Sequence, residues 1–200
     1  MSSDLLDWSG RTCAILASGP SLTAEQVSAV RGLKMTALNA TYKLAPEADV
    51  LYAGDFMFWK TYHADARKAS KSQFWTQDSM SHERYGVKWV RGINREGLGH
   101  DVVHQNGNSG FQAINLAYLF GCRRILLLGF DMKLGPRDEK HWHADHPSHL
   151  MQAQQFGEWI HKSQKLADGL KAAGCEVINC SRETALMCWP RSTIEKELML

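Results

Sequence analysis

Four histidines, His141, His143, His146 and His149, fall within nine residues of one another, among Asp138, Glu139 and Asp145. Neutral imidazoles with carboxylates can ligate a transition metal. A single imidazole, oriented by a carboxylate such as Asp145, can instead move a proton near neutral pH. The third reading is an exposed polar loop. A second set of polar residues closes the apolar runs: Ser18, Asn39, Asp55 and Asp131. Any one of them could merely cap the next element. Together they are what a ligand site at the carboxyl edge of a parallel sheet needs. Between the two sets lies Gly107-Asn108-Ser109-Gly110. This small-residue turn opens a helical pattern whose free N–H groups suit a phosphate or carboxylate. The Asp131 carboxylate suits a ribose hydroxyl, a proton or a metal.

The elements that position these groups alternate between strand and helix. Short apolar runs predict strands at 12–17, 34–39, 49–53, 73–76, 87–90, 125–128 and 175–179. Helical patterns cover 24–30, capped by Thr23, and 56–68, with an aromatic stripe of Phe56, Phe58, Trp59 and Tyr62 that suits core packing. Another carries Ile114, Ala117, Tyr118 and Phe120 and stops at Gly121. The longest, 151–173, turns Phe156, Trp159, Ile160, Leu166 and Leu170 toward the sheet. The stretch 91–105 reads as loop, whose Arg91, Arg95, His100 and His104 could line the mouth of a cleft, although solvated side chains are the plainer reading for most of them. The tail, 181–200, packs Leu186, Trp189 and a short helix from Thr193 back over the sheet edge. The alternation predicts an α/β fold: a Rossmann-like, mostly parallel sheet with helices on both faces. It forms a single domain over 1–200, with a His-rich lid loop at about 132–149 that follows a ligand-bearing strand.

Composition narrows the function. Two hundred residues suffice for a real core, and a formal charge of +2 gives no argument for a nucleic-acid or membrane partner. Trp142 could stack on a base, but no basic patch accompanies it. No run of roughly 18 apolar residues predicts a membrane span. The acidic start, MSSDLLDWSG, lacks a basic-then-apolar signal, so a cytoplasmic protein is expected. Five cysteines without a CxxC pair (Cys13, Cys122, Cys175, Cys180 and Cys188) read as buried free thiols. The first turn, Ser18-Gly19-Pro20-Ser21, has the strand–turn–helix layout of a phosphate site, without the GxGxxG or GxxxxGK spacing.

Several stretches resemble one group of proteins. LASGPSL is similar to the GNGPSL turn of the bacterial sialyltransferases of glycosyltransferase family 42. It also resembles the related DUF115 proteins, which include archaeal 6-hydroxymethyl-dihydropterin diphosphokinases and flagellin-glycosylating motility accessory factors. NSGFQAINLAYLFGCRRILLLGFDM and INCSRETAL resemble later segments of the same group. HWHADHPSH resembles the sialyltransferase loop that carries two nearby histidines, one of them the catalytic base. Small stand-alone members are encoded by bacteriophages. The resemblance implies that Gly19, Pro20 and Ser21 form a nucleotide turn, and that Asn39 contacts the nucleotide or donor. It implies that Asn108, Ser109 and Gly110 hold a carboxylate or phosphate, that Asp131 binds ribose or a metal, and that His146 or His149 is the base. The chain departs from the sialyltransferases at Ser18, where they have a nucleotide-contacting asparagine, and at Asp55, which is closer to the DUF115 branch. Their phosphate-holding tyrosines are replaced by Met132 and Lys133, so Lys133, Arg137 or Lys140 would take the phosphate.

The expectation is a nucleotide-dependent transferase, foremost a glycosyltransferase with a nucleotide-sugar donor. Turn amides and basic side chains would hold the leaving phosphate, and a loop histidine would act as general base. The alternative enzyme is a diphosphokinase using ATP and Mg²⁺, with Asp55 and Asp131 as metal ligands. The non-enzymatic alternative is a nucleotide-binding protein. A homo-oligomer is compatible with each reading, and the acceptor is left open.

Overall fold

A computed structural model describes residues 5–144, 147 and 155–199 of the chain. Seven strands form one sheet: β1 (Thr12–Leu16), β2 (Lys34–Leu38), β3 (Val50–Tyr52), β4 (Gln73–Thr76), β5 (Lys88–Trp89), β8 (Arg124–Leu128) and β9 (Glu176–Asn179). Their order is β5-β4-β3-β2-β1-β8-β9, and every neighbouring pair is parallel. The chain starts in the middle at β1, steps outward to β5, then returns to the other side of β1 for β8 and β9. That reversal makes the β1–β8 junction a topological switch point, where a crevice opens outside the strand ends. In register, Leu16 stands beside Leu128 on one side and Ala37 on the other.

The central strands are apolar without a break because both faces are covered. Cys13 and Ile15 of β1 face one core layer with Ile125 and Leu127, while Ala14 and Leu16 face the other with Leu126 and Leu128. Helices α1 (Ala24–Ala29) and α2 (Phe56–Ala69) cover the second layer, and α3 (Ser79–Tyr85) packs beside α2. Helices α4 (Ser109–Leu119) and α5 (Phe156–Ala172) cover the first. The last helix, α6 (Ile194–Leu198), lies near α1 and is capped by Thr193. In α2, Phe58 and Trp59 are buried and the Trp59 indole donates to Ala53 O at 3.0 Å, so these two of the aromatic stripe are core, while Phe56 and Tyr62 are half-buried. Every residue of α4 from Gly110 to Ala117 is buried, a fuller burial than its one-sided sequence pattern predicts. All five cysteines are free and four are buried.

Several features depart from the sequence reading. Between β4 and β5 the chain inserts α3, too polar to show an apolar period. It is held by Asp78, which accepts from Ser81 N at 2.8 Å, and stopped at Gly86 with φ +63°. The stretch 91–105 is not all loop. It contains a second, two-stranded parallel sheet of β6 (Gly92–Ile93) and β7 (Val103–His104). Residues 39–43 form a 3-10 turn directly after β2.

The tail secures the end of β8. Asn179 is fully buried and bonded through every polar group. Its Nδ2 donates to Thr184 Oγ1 at 3.1 Å and its Oδ1 accepts from Ser181 N at 3.0 Å. Thr184 Oγ1 in turn donates to Phe130 O at 2.7 Å, Ser181 Oγ accepts from Phe130 N at 2.8 Å, and Ala185 N donates to Asp131 O. Leu186 and Trp189 are buried behind this lacing, as the sequence pattern predicts. Asn179→Ala strands the Ser181 N–H and releases Thr184. It is expected to lower unfolding free energy by about 1–3 kcal/mol, read as a lower urea midpoint with an unchanged m-value.

Candidate functional site

The strand ends converge on a cleft of about 320 Å³, within the range of small-molecule sites. Its floor is the β1–β8 junction. Gly19 N donates to Gly129 O at 2.9 Å, tying the turn after β1 to the residue after β8. A Cβ on Gly19 would lie 2.6 Å from the Asp131 carboxyl carbon, so only glycine fits. Gly129 takes φ +72° in this close approach. Asp131 accepts Ser21 N at 2.7 Å on one carboxylate oxygen and Ser21 Oγ at 2.6 Å on the other. Burial pushes its carboxyl up, against the opposing pull of the Ser21 bonds and of Lys133. The expectation of open turn amides is therefore corrected. The Gly19, Ser21 and Leu22 N–H groups are used within the protein, because the turn must clamp two strand ends.

Helix α4 brings its N-terminus to the same cleft. Asn108 caps it, its Oδ1 accepting Gly110 N at 2.7 Å and Phe111 N at 3.4 Å. The cap leaves the Ser109 amide and hydroxyl as the polar groups for a ligand at this end. Gly54 allows the approach: a Cβ there would lie 2.5 Å from Gln112 Oε1 and 3.2 Å from Ser109 Oγ. Behind it runs a relay of amides. Tyr52 OH donates to Gln112 Oε1 at 2.8 Å, Gln112 Nε2 to Gln105 O, Gln105 Nε2 to Gln77 Oε1, and Gln77 Nε2 to Gly54 O. This relay fixes the end of β3 against α4.

Asn39 and Asp55 complete the polar wall. Asn39 sits at φ +49°, where β2 breaks into the 3-10 turn, and its side chain forms no hydrogen bond among the described residues. Asparagine tolerates that backbone better than most residues. Asp55 starts α2 without capping it and opens to the cleft. Although Asp55 is exposed at the cleft, partial desolvation of its carboxyl by the surrounding protein, with added repulsion from Asp78, raises it from the usual carboxylate range.

The loop after Asp131 crosses the cleft and is pinned at Trp142. Trp142 N donates to Ser18 O at 3.1 Å and its indole N–H to Thr41 Oγ1 at 3.2 Å. Trp142 thus serves as an anchor for the loop. Pinning sets Lys140 and His141 into the cleft wall, with the His141 ring stacked on His143 at 5.0 Å. Of the three cations proposed for a phosphate, Arg137 pairs with Glu139 at 2.8 Å and Lys133 with Glu183 at 2.6 Å. Lys140 forms no ion pair among the described residues. Trp159, Ile160, Leu166 and Leu170 pack toward the first core layer as the sequence predicts, and Phe156 and Trp159, in the first turn of α5, also line the cleft.

Ser18, Gly19, Asn39, Asp55, Asn108, Ser109, Gly110 and Asp131 all border this one cleft. Pro20 and Ser21 stand just outside it, with Ser21 serving Asp131. His146 and His149 lie outside the described residues, as does Asp145. Among the described residues no group of three potential ligands forms a metal site. Arg95 lines a separate groove with Lys162, while His100 meets Tyr118 OH and His104 meets Glu96 O. Gln112, Phe156 and Trp159 were not legible as site residues. Their apolar or helical neighbours gave them the signature of core.

No family model and no curated protein matches the chain. Its fold is similar to that of the solved MAf glycosyltransferase from Magnetospirillum magneticum AMB-1. The TM-score is 0.63 at 12% identity, over 96% of this chain and 35% of that one. The chain thus spans about a third of that protein's length, and the likeness is one of fold: a mostly parallel α/β sheet with helices on both faces. No helix among the described residues is long and apolar enough to cross a membrane.

Asp55 gives this site a pH signature. A carboxyl raised in the fold is tolerated when protonated, so its contribution to stability is full below about pH 4 and is lost as pH rises through the folded pKa. Asp55→Asn is expected to melt higher than the native chain at pH 7, with the gap closing by about pH 4. Equal melting temperatures at pH 7 would contradict this electrostatic account.

Proposed function

We propose that the protein is a nucleotide-dependent transferase, with a nucleotide-sugar as donor. One observation carries the reading: a single cleft at the sheet's switch point gathers an open carboxylate, a helix-start hydroxyl, and an amide and a lysine without hydrogen-bond or ion-pair partners among the described residues. Asn39 and Asp55 offer hydrogen bonds to a nucleoside's base and ribose. Lys140, with the Ser109 amide and hydroxyl, suits the phosphate. The Asp131–Ser21 pair holds the floor. The fold likeness to a MAf glycosyltransferase supports the class, as does the sequence resemblance to flagellin-glycosylating motility accessory factors.

In this mechanism the cleft orients the donor and its cations stabilise the departing phosphate as the anomeric carbon opens. A histidine of the 141–149 loop takes the proton of the acceptor hydroxyl. His146 and His149 are the assigned candidates, and among the described residues His141 borders the cleft. The diphosphokinase alternative would use Asp55 and Asp131 for a metal. Asp55 is open for that use, whereas both Asp131 oxygens already accept Ser21.

The test is a melting-temperature titration with UDP, GDP, CMP and ATP, each with Mg²⁺ or with EDTA. A ligand that binds only the folded state stabilises it by about 2.7 kcal/mol at a hundredfold excess over its dissociation constant. Stabilisation by a sugar-carrier nucleotide that survives EDTA, and that weakens about tenfold or more in Lys140→Ala, supports the proposal. Stabilisation by ATP alone, and only with Mg²⁺, replaces it with the diphosphokinase. No stabilisation by any nucleotide refutes it. Once a turnover assay exists, His146→Ala or His149→Ala is expected to slow transfer about a hundredfold or more with nucleotide affinity unchanged. Normal turnover in both would remove the assigned base, and tight nucleotide binding without any turnover would favour a binding protein.

A further inference from the structure

The cleft has two apolar walls, and they come from helices on opposite faces of the sheet. Met57 and Phe58 of α2 form one, beside Leu38, Asn39 and Asp55. Phe156 and Trp159 of α5 form the other, their rings 5.9 Å apart and edge to face. A Cβ on Gly107 would lie 3.9 Å from Trp159 Cδ1 and 3.2 Å from Lys162 Nζ. The indole therefore borders the turn that opens α4, one residue before the capping Asn108.

These walls suit different parts of a nucleotide-sugar. The α2 wall adjoins the end of β2, where a doubly wound sheet holds ribose, and the open Asn39 amide can read a base edge. That places the nucleoside on the α2 side and the phosphate at Lys140 and Ser109, in the middle. The group beyond the phosphate then meets α5. A pyranose ring has an apolar C–H face and a polar hydroxyl rim. Half-buried aromatic rings beside polar groups match both. We propose that Trp159, supported by Phe156, is the platform for the sugar ring of the donor. This proposal rests on the nucleotide-sugar reading and adds where its sugar lies.

The experiment is calorimetric titration of three pairs: UDP and UDP-glucose, GDP and GDP-mannose, CMP and CMP-N-acetylneuraminate. Each is titrated into the native chain and into Trp159→Ala, Trp159→Phe and Phe156→Ala. For the pair that binds, Trp159→Ala is expected to weaken the sugar-nucleotide about fivefold to tenfold and leave the bare nucleotide unchanged. Trp159→Phe, which keeps a ring, retains most of the sugar-nucleotide affinity. Phe156→Ala shows a smaller loss of the same kind, which covers the case of a Trp159→Ala chain that does not fold. Equal weakening of nucleotide and sugar-nucleotide overturns the proposal by placing the base on this wall. Unchanged binding of both also overturns it. If the native chain binds none of the bare nucleotides, the functional reading itself fails, a result separate from the variant effects.

Discussion

The clamp between the ends of β1 and β8 is the constraint on which the cleft depends. Two neighbouring strands leave the sheet toward opposite faces, so their ends would splay unless something joined them. Gly19 N reaching Gly129 O and Ser21 holding both oxygens of Asp131 make that joint. The joint consumes the turn's own amides and buries a carboxylate whose water has been replaced by one residue. It also demands glycine at 19 and a left-handed backbone at 129 and at Met132, where φ is +48°. The tail reinforces it from behind through Asn179, Ser181 and Thr184. A polar, partly strained strand end of this sort is costly to hold, and such strain clusters at binding and active sites.

What reaches into the cleft does so because of rigid neighbours. Gly54 lets α4 come close to β3, and the Tyr52–Gln112–Gln105–Gln77 relay fixes that approach. Trp142 pins the loop that carries Lys140 and His141. The site is thus assembled from six segments that meet only in the folded sheet. The function inferred for it draws on this chemistry, while the likeness to a larger glycosyltransferase speaks to the fold.

Much of this was legible in sequence. Branched apolar runs gave the six longer strands to within a residue or two, because strands buried on both faces cannot hide polar residues. The polar residues that end β1, β2, β3 and β8 were recognisable as one site, since a parallel sheet gathers such ends on one edge. The internal use of Asp131 and of the turn amides was not legible, because it depends on the separation of two strand ends. Nor was the placement of Trp159, whose helical spacing matches core and cleft equally. Helix α3 escaped notice because its signals are a cap and a glycine, without an apolar stripe.

Under the proposed function, this cleft and no other surface receives a nucleotide. Amide chemical-shift mapping of the labelled protein during titration with UDP, GDP, CMP and ATP addresses it directly. The expected result is a set of saturating shifts centred on Gly19, Asn39, Asp55, Ser109 and Lys140, absent from the far edge at β5. Saturating shifts confined to another surface, such as the groove of Arg95 and Lys162, would contradict this placement even if binding were tight.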